Sequence, residues 1–368
     1  MKEYLVYRLI NLDLLSFKSI FRIFEQKYIF ESILSLSVFL NSNSYEDYFE
    51  KSKQVLSVLH KIFDINFILT IIPQKPLDNS EAIIEIEVLR ENRNVRKKFI
   101  YTEFLQLMEL DLDGVEYLYS TVNYENYKNL QNLSFQDLYS TICFHHIELY
   151  GHQIIRMWNY IGNILGLTNI NNKFIQNYQL LNNIRYENFK KNLVQQFPAS
   201  TGIRMDAPGL IVRTITMKEN ASITIIPIDN KYQTNAFDYS DEILVGDGQK
   251  HPPLFERALL IKKPNSEELY ISGTASIIGQ NSKGINDILI QTKTTLTNIE
   301  TLIEQAKMIS LRETEFKIKE FIVYIKKSTD FQIVKKIVEE TLKDVPIIYT
   351  QADVCRNELL VEMECICE

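Results

Sequence analysis

The sequence predicts an α+β protein in which mixed sheets carry helices packed on one face. One observation behind this is the order of elements in residues 200–368, where strands are followed by a long helix, a strand, a helix and two final strands. Another is length, since 368 residues at roughly 150 per domain suggest about two domains. The third is composition. The chain is 45% hydrophobic and 24% charged, ordinary for a globular protein and too apolar for a disordered one. A chain of this size buries about three quarters of its unfolded surface and needs no staples. Its 11 glycines speak against Gly-rich phosphate loops and repeat β-solenoids.

Taken in order, Ser44–Phe63 carries Tyr48, Val55, Leu56, Val58, Leu59 and Ile62 at helical spacing and predicts a helix. Phe67–Ile72 and Ala82–Leu89 read as strands, the second alternating apolar and acidic residues in IIEIEV. Arg90–Asn94 is a polar turn, Val95–Tyr101 a return strand and Gly114–Tyr119 another short strand. Ser134, with Asp137 three residues on, approximates a capping box and predicts a helix whose stripe is Leu138, Ile142, Leu149, Ile155 and Trp158. A second helix is expected over Lys173–Phe197, ended by Pro198. Leu210–Met217 and Ser222–Ile226 are β-rich, and Phe255–Ile261 with Glu268–Ser272 form a hairpin around Lys263-Pro264-Asn265-Ser266. Asn286–Met308 predicts a long amphipathic helix, Glu315–Ile325 a strand, Asp330–Leu342 a helix capped by Asp330, and Pro346–Cys355 and Glu358–Ile366 the last two strands. The resulting division is 1–197 and 198–368. No internal repeat is obvious, although the N-terminal half is compatible with a decayed copy of the C-terminal unit.

The formal charge of −7 argues against general nucleic-acid binding, which draws on Lys/Arg clusters, but leaves room for a locally basic pocket that takes an anionic small molecule. Four cysteines make no disulfide framework. No run approaches the roughly 18 apolar residues of a membrane span. Glu3, Arg8 and Asp13 break the N-terminal apolar stretch, which therefore does not read as a signal peptide. The expectation is a reduced, soluble, cytoplasmic protein with no membrane partner. There is no P-loop, G-x-G-x-x-G, H-E-x-x-H, C-x-x-C or G-x-S-x-G. Adjacent His145 and His146 point about 100° apart on a helix and make a poor metal pair. Cys365 and Cys367 share a strand face with Val361 and Met363 and read as buried hydrophobes. No metal and no organic cofactor is expected, and an acid or base here would be a carboxylate.

Three stretches stand out together: Pro253-Leu254-Phe255-Glu256-Arg257-Ala258 with the upstream Gln233–Tyr239; Ile271-Ser272-Gly273-Thr274-Ala275-Ser276-Ile277-Ile278-Gly279, followed by Gln291 and Asn298; and Ala352-Asp353-Val354-Cys355-Arg356-Asn357-Glu358-Leu359-Leu360-Val361-Glu362-Met363-Glu364. In this order and spacing they resemble the chorismatase family, which comprises chorismate hydrolases and 3-hydroxybenzoate synthases. Arg156-Met157-Trp158-Asn159-Tyr160 and the helix with Tyr178 and Arg185 are also similar to that family. The resemblance is specific over about residues 150–368. It implies a YjgF/RidA-like (chorismate-mutase-like) fold in two related domains, a divergent N-terminal one (1–197) and a catalytic one (198–368). It also implies removal of the enolpyruvyl group of chorismate as pyruvate. Small YjgF-like proteins form trimers, but a two-domain chain can supply much of that interface itself, which favours a monomer.

Cleaving an enol ether needs a proton on the terminal methylene carbon, a task suited to a carboxylic acid whose pKa is raised by burial. Period-2 geometry over Glu358–Ile366 places Leu359, Val361, Met363 and Cys365 on one face and Glu358, Glu362 and Glu364 on the other. Solvation is the ordinary fate of such an acidic face; the resemblance instead makes Glu362 the acid. It assigns Arg257 to a substrate carboxylate, where a bidentate grip is available, and puts Lys326 where the family more often has Arg. Gln351, Asp353 and Cys355 alternate onto one strand face that could line the cleft. Gly273 and Ala275, read as following a strand end, leave room for a ligand near the backbone. Cys355 favours 3-hydroxybenzoate as product, the alternatives being a dihydroxycyclohexadiene carboxylate or a non-catalytic YjgF-like binding protein. Asp229–Gln233 and Gly246–Lys250 depart from the family pattern.

Overall fold

The computed structural model describes residues 2–368 apart from 63–64, 91–94, 123–135, 138, 141–151, 171, 219, 221 and 311–314. Three sheets are each built round the same four-strand arrangement. The first contains β1 (Lys2–Leu9), β2 (Ile33–Leu40), β3 (Ile68–Ile72) and β4 (Ala82–Leu89), with α1 (Leu14–Glu25) and α2 (Tyr45–Ile62) as crossovers. Its strand order is β1-β4-β2-β3, with β2 and β3 parallel and the other pairs antiparallel. Asp13 caps α1 by accepting from Ser16 N at 2.7 Å, and Phe17, Ile20, Phe21 and Phe24 form its buried stripe.

The second sheet comprises β5 (Val95–Tyr101), β6 (Leu105–Leu112), β7 (Val115–Val122), β8 (Gln153–Gly162), β11 (Ala199–Met205) and β12 (Leu210–Met217), in the order β11-β8-β12-β7-β6-β5. A short ribbon, β9 (Leu167–Ile170) with β10 (Lys173–Gln176), precedes α3 (Asn177–Lys191). The third sheet has β13 (Thr224–Ile228), β14 (Ala258–Lys262), β15 (Glu267–Ala275), β18 (Ile318–Ile325), β19 (Ile347–Gln351) and β20 (Val361–Cys367), in the order β13-β14-β15-β20-β18-β19. Between β15 and β18 lie the small hairpin β16 (Ile277–Ile278) and β17 (Asn281–Ser282) and then α4 (Ile288–Ile309); α5 (Phe331–Thr341) joins β18 to β19.

The common plan is visible in these orders. β7, β8, β11 and β12 repeat the arrangement of β1 to β4, as do β15, β18, β19 and β20. In every case the fourth strand lies between the first and second, and the second and third are parallel. Nine residues of β4 and its approach, Glu81–Leu89, align without a gap on Glu358–Ile366, and Glu81, Glu85 and Glu87 then fall on Glu358, Glu362 and Glu364. The boundary between residues 197 and 198 falls inside the second sheet, because β11 and β12 pair with β8.

Buried ion pairs stitch the sheets together. Arg213 of β12 donates to Ser35 and Ser37 at 2.9 Å each and lies 3.5 Å from Glu87. Arg156 of β8 pairs with Glu364 of β20 at 2.7 Å, and Lys2 reaches Glu87 at 3.3 Å and Glu268 at 3.8 Å. The guanidinium carbons of Arg156 and Arg213 each lie 4.4 Å from the Trp158 ring. The odd positions of β20 behave as the alternation requires: Val361, Met363, Cys365 and Cys367 pack with α4 and α5 in an apolar cluster.

Several expectations are corrected. Ile155 and Trp158 belong to a strand, not to a helix begun at Ser134, because β8 is buried along nearly its whole length; a strand covered on both faces loses its polar alternation and imitates a helical stripe. Much of that expected helix, with His145 and His146, lies outside the described residues. The helix expected over Lys173–Phe197 is α3 alone; Lys173–Gln176 is strand, and the helix stops at Lys191 just before Leu193, which takes a φ of 53°. Gly273 and Ala275 lie within β15, at an irregularity in its pairing with β20, and do not follow a strand end. Strands β1, β2, β6 and β11 and helix α1 had no counterpart in the sequence reading.

Candidate active site

A cavity opens between the second and third sheets, walled by α3, β11, the loop before β14, the end of β15, the turn after β19, and β20. Glu362, Arg257, Cys355, Gly273 and Ala275 all line it, whereas Lys326 and Gln351 do not. Lys326 donates to the Asn357 backbone at 2.6 Å and lies 3.8 Å from Asp353. Gln351 is tied to Lys75 O by its backbone N–H at 2.8 Å, and its amide reaches Lys326 O at 3.4 Å. The β alternation that was to carry Gln351, Asp353 and Cys355 together ends at Gln351. Asp353 turns to Arg204 at 3.0 Å, and Cys355 alone reaches the cavity.

The local construction follows from side chains that hold strand ends. Asn298 of α4 donates to Ala275 O at 3.1 Å and Ile277 O at 3.0 Å. Gln291 accepts from Leu360 N at 2.7 Å and donates to Glu358 O at 2.9 Å, setting the start of β20. In the irregular part of β15, Ser272 and Gly273 turn to the second sheet: Ser200 N donates to Ser272 Oγ at 2.8 Å, and Gly273 N to Thr201 Oγ1 at 3.0 Å. Such a bulge re-aims a strand beside a site. Glycine at 273 leaves room for the Glu362 carboxyl, which a Cβ there would displace while crowding Thr201.

The two glutamates of β20 have different surroundings. Glu364 accepts from Arg156 at 2.7 Å, Trp158 Nε1 at 2.9 Å and Tyr324 OH at 3.0 Å, and bonds Thr201 Oγ1. It is a fully satisfied buried carboxylate. Glu362 is 4% exposed and faces the cavity. Burial, reinforced by the charge of Glu364 and opposed by Arg156 and Arg257, pushes its carboxyl up to about 8. Of the acidic face predicted from the alternation, Glu362 and Glu364 are buried in different surroundings, while Glu358 is half-buried and accepts from Ser282 Oγ at 2.7 Å. Cys355 is a thiol, held up to about 12 chiefly by burial and then by Glu362.

Three guanidinium groups share the cavity with that carboxyl. Arg257 donates to Thr234 O at 2.6 Å and Tyr239 OH at 2.7 Å, leaving its buried Nε unpartnered. Arg356 donates to Gln280 O at 2.8 Å, and its Nη2 is likewise buried and unpartnered. Arg185 is held by Tyr139 OH at 2.8 Å. Of these three arginines, sequence reasoning assigned only Arg257 to the substrate and noted Arg185 only within a helix similar to the family's; Arg356 stood beside Cys355 in the same stretch and was passed over. Asn182 of α3 carried no signal, because a lone Asn in a helix has none. Ile243, Leu244 and Val245 add an apolar wall. The arrangement suits an anionic small molecule held beside an acid that keeps its proton.

Fold and site together define an α+β protein of three topologically equivalent units with a basic, carboxylate-bearing cavity between the second and third. In sequence and in fold this chain resembles the chorismatases. A 3-hydroxybenzoate synthase from Streptomyces hygroscopicus is 28% identical over 230 residues, covering 59% of this chain and 64% of that protein. A chorismatase from Streptomyces rapamycinicus is 26% identical over 174 residues, 45% of this chain and 50% of the relative. The alignments thus span less than two thirds of these relatives. A chorismatase crystal structure superposes with a TM-score of 0.74 at 19% identity, covering 100% of this chain and 98% of the other. No family model matches the chain.

Proposed function

We propose that this protein removes the enolpyruvyl group of chorismate as pyruvate and releases 3-hydroxybenzoate. The observation that carries this reading is a buried Glu362, its carboxyl pushed up to about 8, that shares one cavity with three arginines. Arg257, Arg185 and Arg356 provide charge for the two substrate carboxylates, each charge-assisted bond contributing about 1.5–3 kcal/mol. Glu362 delivers its proton to the terminal methylene of the enol ether. The oxocarbenium ion that forms is captured by an oxygen nucleophile, and collapse gives pyruvate with the ring oxygen as leaving group. Capture by water followed by loss of water from the ring balances the reaction, so that chorismate leaves as pyruvate and a hydroxybenzoate with no atom added. Cys355 in the cavity wall, and the 3-hydroxybenzoate synthase among the relatives, support that product over a dihydroxycyclohexadiene carboxylate.

Incubation of the purified protein with chorismate, with pyruvate measured enzymatically and the ring products separated by chromatography, tests the proposal. Equal amounts of pyruvate and 3-hydroxybenzoate, unaffected by a chelator, are expected. A dihydrodiol alone would reject the product, and folded protein that makes no pyruvate would reject catalysis.

A further inference from the structure

Four side chains of α3 face the cavity: Tyr178, Gln179, Asn182 and Arg185, spaced so that they share one helical face. Gln179 is occupied, donating to His251 O at 2.8 Å and to Asn183 Oδ1 at 2.9 Å, and Arg185 is held by Tyr139. Asn182 differs. It is 1% exposed, and both its Nδ2 and its Oδ1 are buried without a hydrogen-bond partner. A buried amide in this state is costly, and native proteins rarely leave both ends unpaired. A cavity wall is where a ligand supplies the missing partner. The amide is neutral among arginines, so it is unsuited to compete for the carboxylates. It offers one acceptor and a donor group, which is the complement of a hydroxyl that both donates and accepts.

Resting on the proposed reaction, we propose that Asn182 is a specificity-determining residue that reads the ring hydroxyl of the substrate. Its Oδ1 accepts the hydroxyl proton and its Nδ2 donates to the hydroxyl oxygen, so a ring without that group leaves the amide unpaired. Sites built this way reject a ligand that lacks the hydroxyl far more strongly than apolar pockets reject a missing methylene.

Binding is best read without turnover, in the Glu362→Gln protein, by calorimetric titration with chorismate and with its 4-deoxy analogue. Chorismate is expected to bind about ten- to a hundredfold more tightly. In the Glu362→Gln/Asn182→Leu protein that preference should collapse to within about threefold. The melting temperature should not fall, because an apolar side chain of similar size replaces an unpaired amide. Both compounds binding with the preference intact in the Leu variant would overturn the inference, as would a lowered melting temperature with preference retained. Binding of neither compound to Glu362→Gln would overturn the substrate assignment itself, and the inference with it.

Discussion

Replacing Glu362 by Gln keeps the shape of the side chain and removes the transferable proton. Two consequences can be sized from the site. The first is kinetic: loss of a positioned general acid lowers turnover by about 10²–10⁴. The second is thermodynamic and has an unusual sign. Glu362 is held up to about 8 in the fold against an ordinary 4.5, so the native state keeps a proton that the unfolded chain has lost. Unfolding therefore becomes easier as pH rises from about 4.5 to 8, at about 1.36 kcal/mol per unit. By pH 7 the carboxyl costs the native state on the order of 3 kcal/mol relative to a neutral isostere. Glu362→Gln should thus unfold at higher denaturant concentration than the parent at pH 7, with the gap closing near pH 4. Turnover of the parent should fall as pH rises through about 8, where the acid loses its proton, and the residual rate of the variant should lack that limb. Pyruvate release across pH 5–9 and urea unfolding at pH 4 and pH 7 supply both readings. A variant that turns over within tenfold of the parent, or that is less stable at pH 7, would refute the assignment of Glu362 as a protonated general acid.

Glu364→Gln, two residues along the same face, should behave in the opposite way. It weakens a carboxylate with four bonding partners and leaves Arg156 uncompensated, costing about 3–5 kcal/mol by urea unfolding. Arg257→Ala should raise KM about ten- to a hundredfold with a small change in melting temperature; an unchanged KM with a large fall in melting temperature would make Arg257 structural. Lys326→Ala should leave KM within about twofold, since its amine is engaged with Asn357 away from the cavity. Gly273→Ala should abolish turnover more than stability, because the added Cβ strikes the Glu362 carboxyl.

Much of the local structure was legible in the residues. The strands Ala82–Leu89, Val95–Tyr101 and Leu210–Met217 have the bounds expected of them, because turn residues flank them and period-2 patterning marks them. The alternation over Glu358–Ile366 placed Val361, Met363 and Cys365 against helices and both glutamates on the other face. The same logic failed in β8 and β2, where burial on both faces erases alternation. It failed again in β15, since a bulge is a property of pairing that no single strand shows.

What the sequence by itself determined is which residues share a face and which of them carry acid or charge. That chemistry is local, and covalent geometry sets its period. The tertiary structure alone decided how those faces meet. The alternation alone puts Glu362 and Glu364 on one face without separating them, yet the second sheet gives Glu364 Arg156, Trp158 and Thr201 and leaves Glu362 facing the cavity. Arg257, Arg356 and Asn182 come from three segments that only the tertiary fold brings to one cavity. Lys326, just after β18, is drawn to Asn357, and Gln351, at the end of β19, is tied to Lys75. Desolvation and Coulomb interactions act through space and not along the chain, so the raised pKa of Glu362 is set by the contacts between sheets.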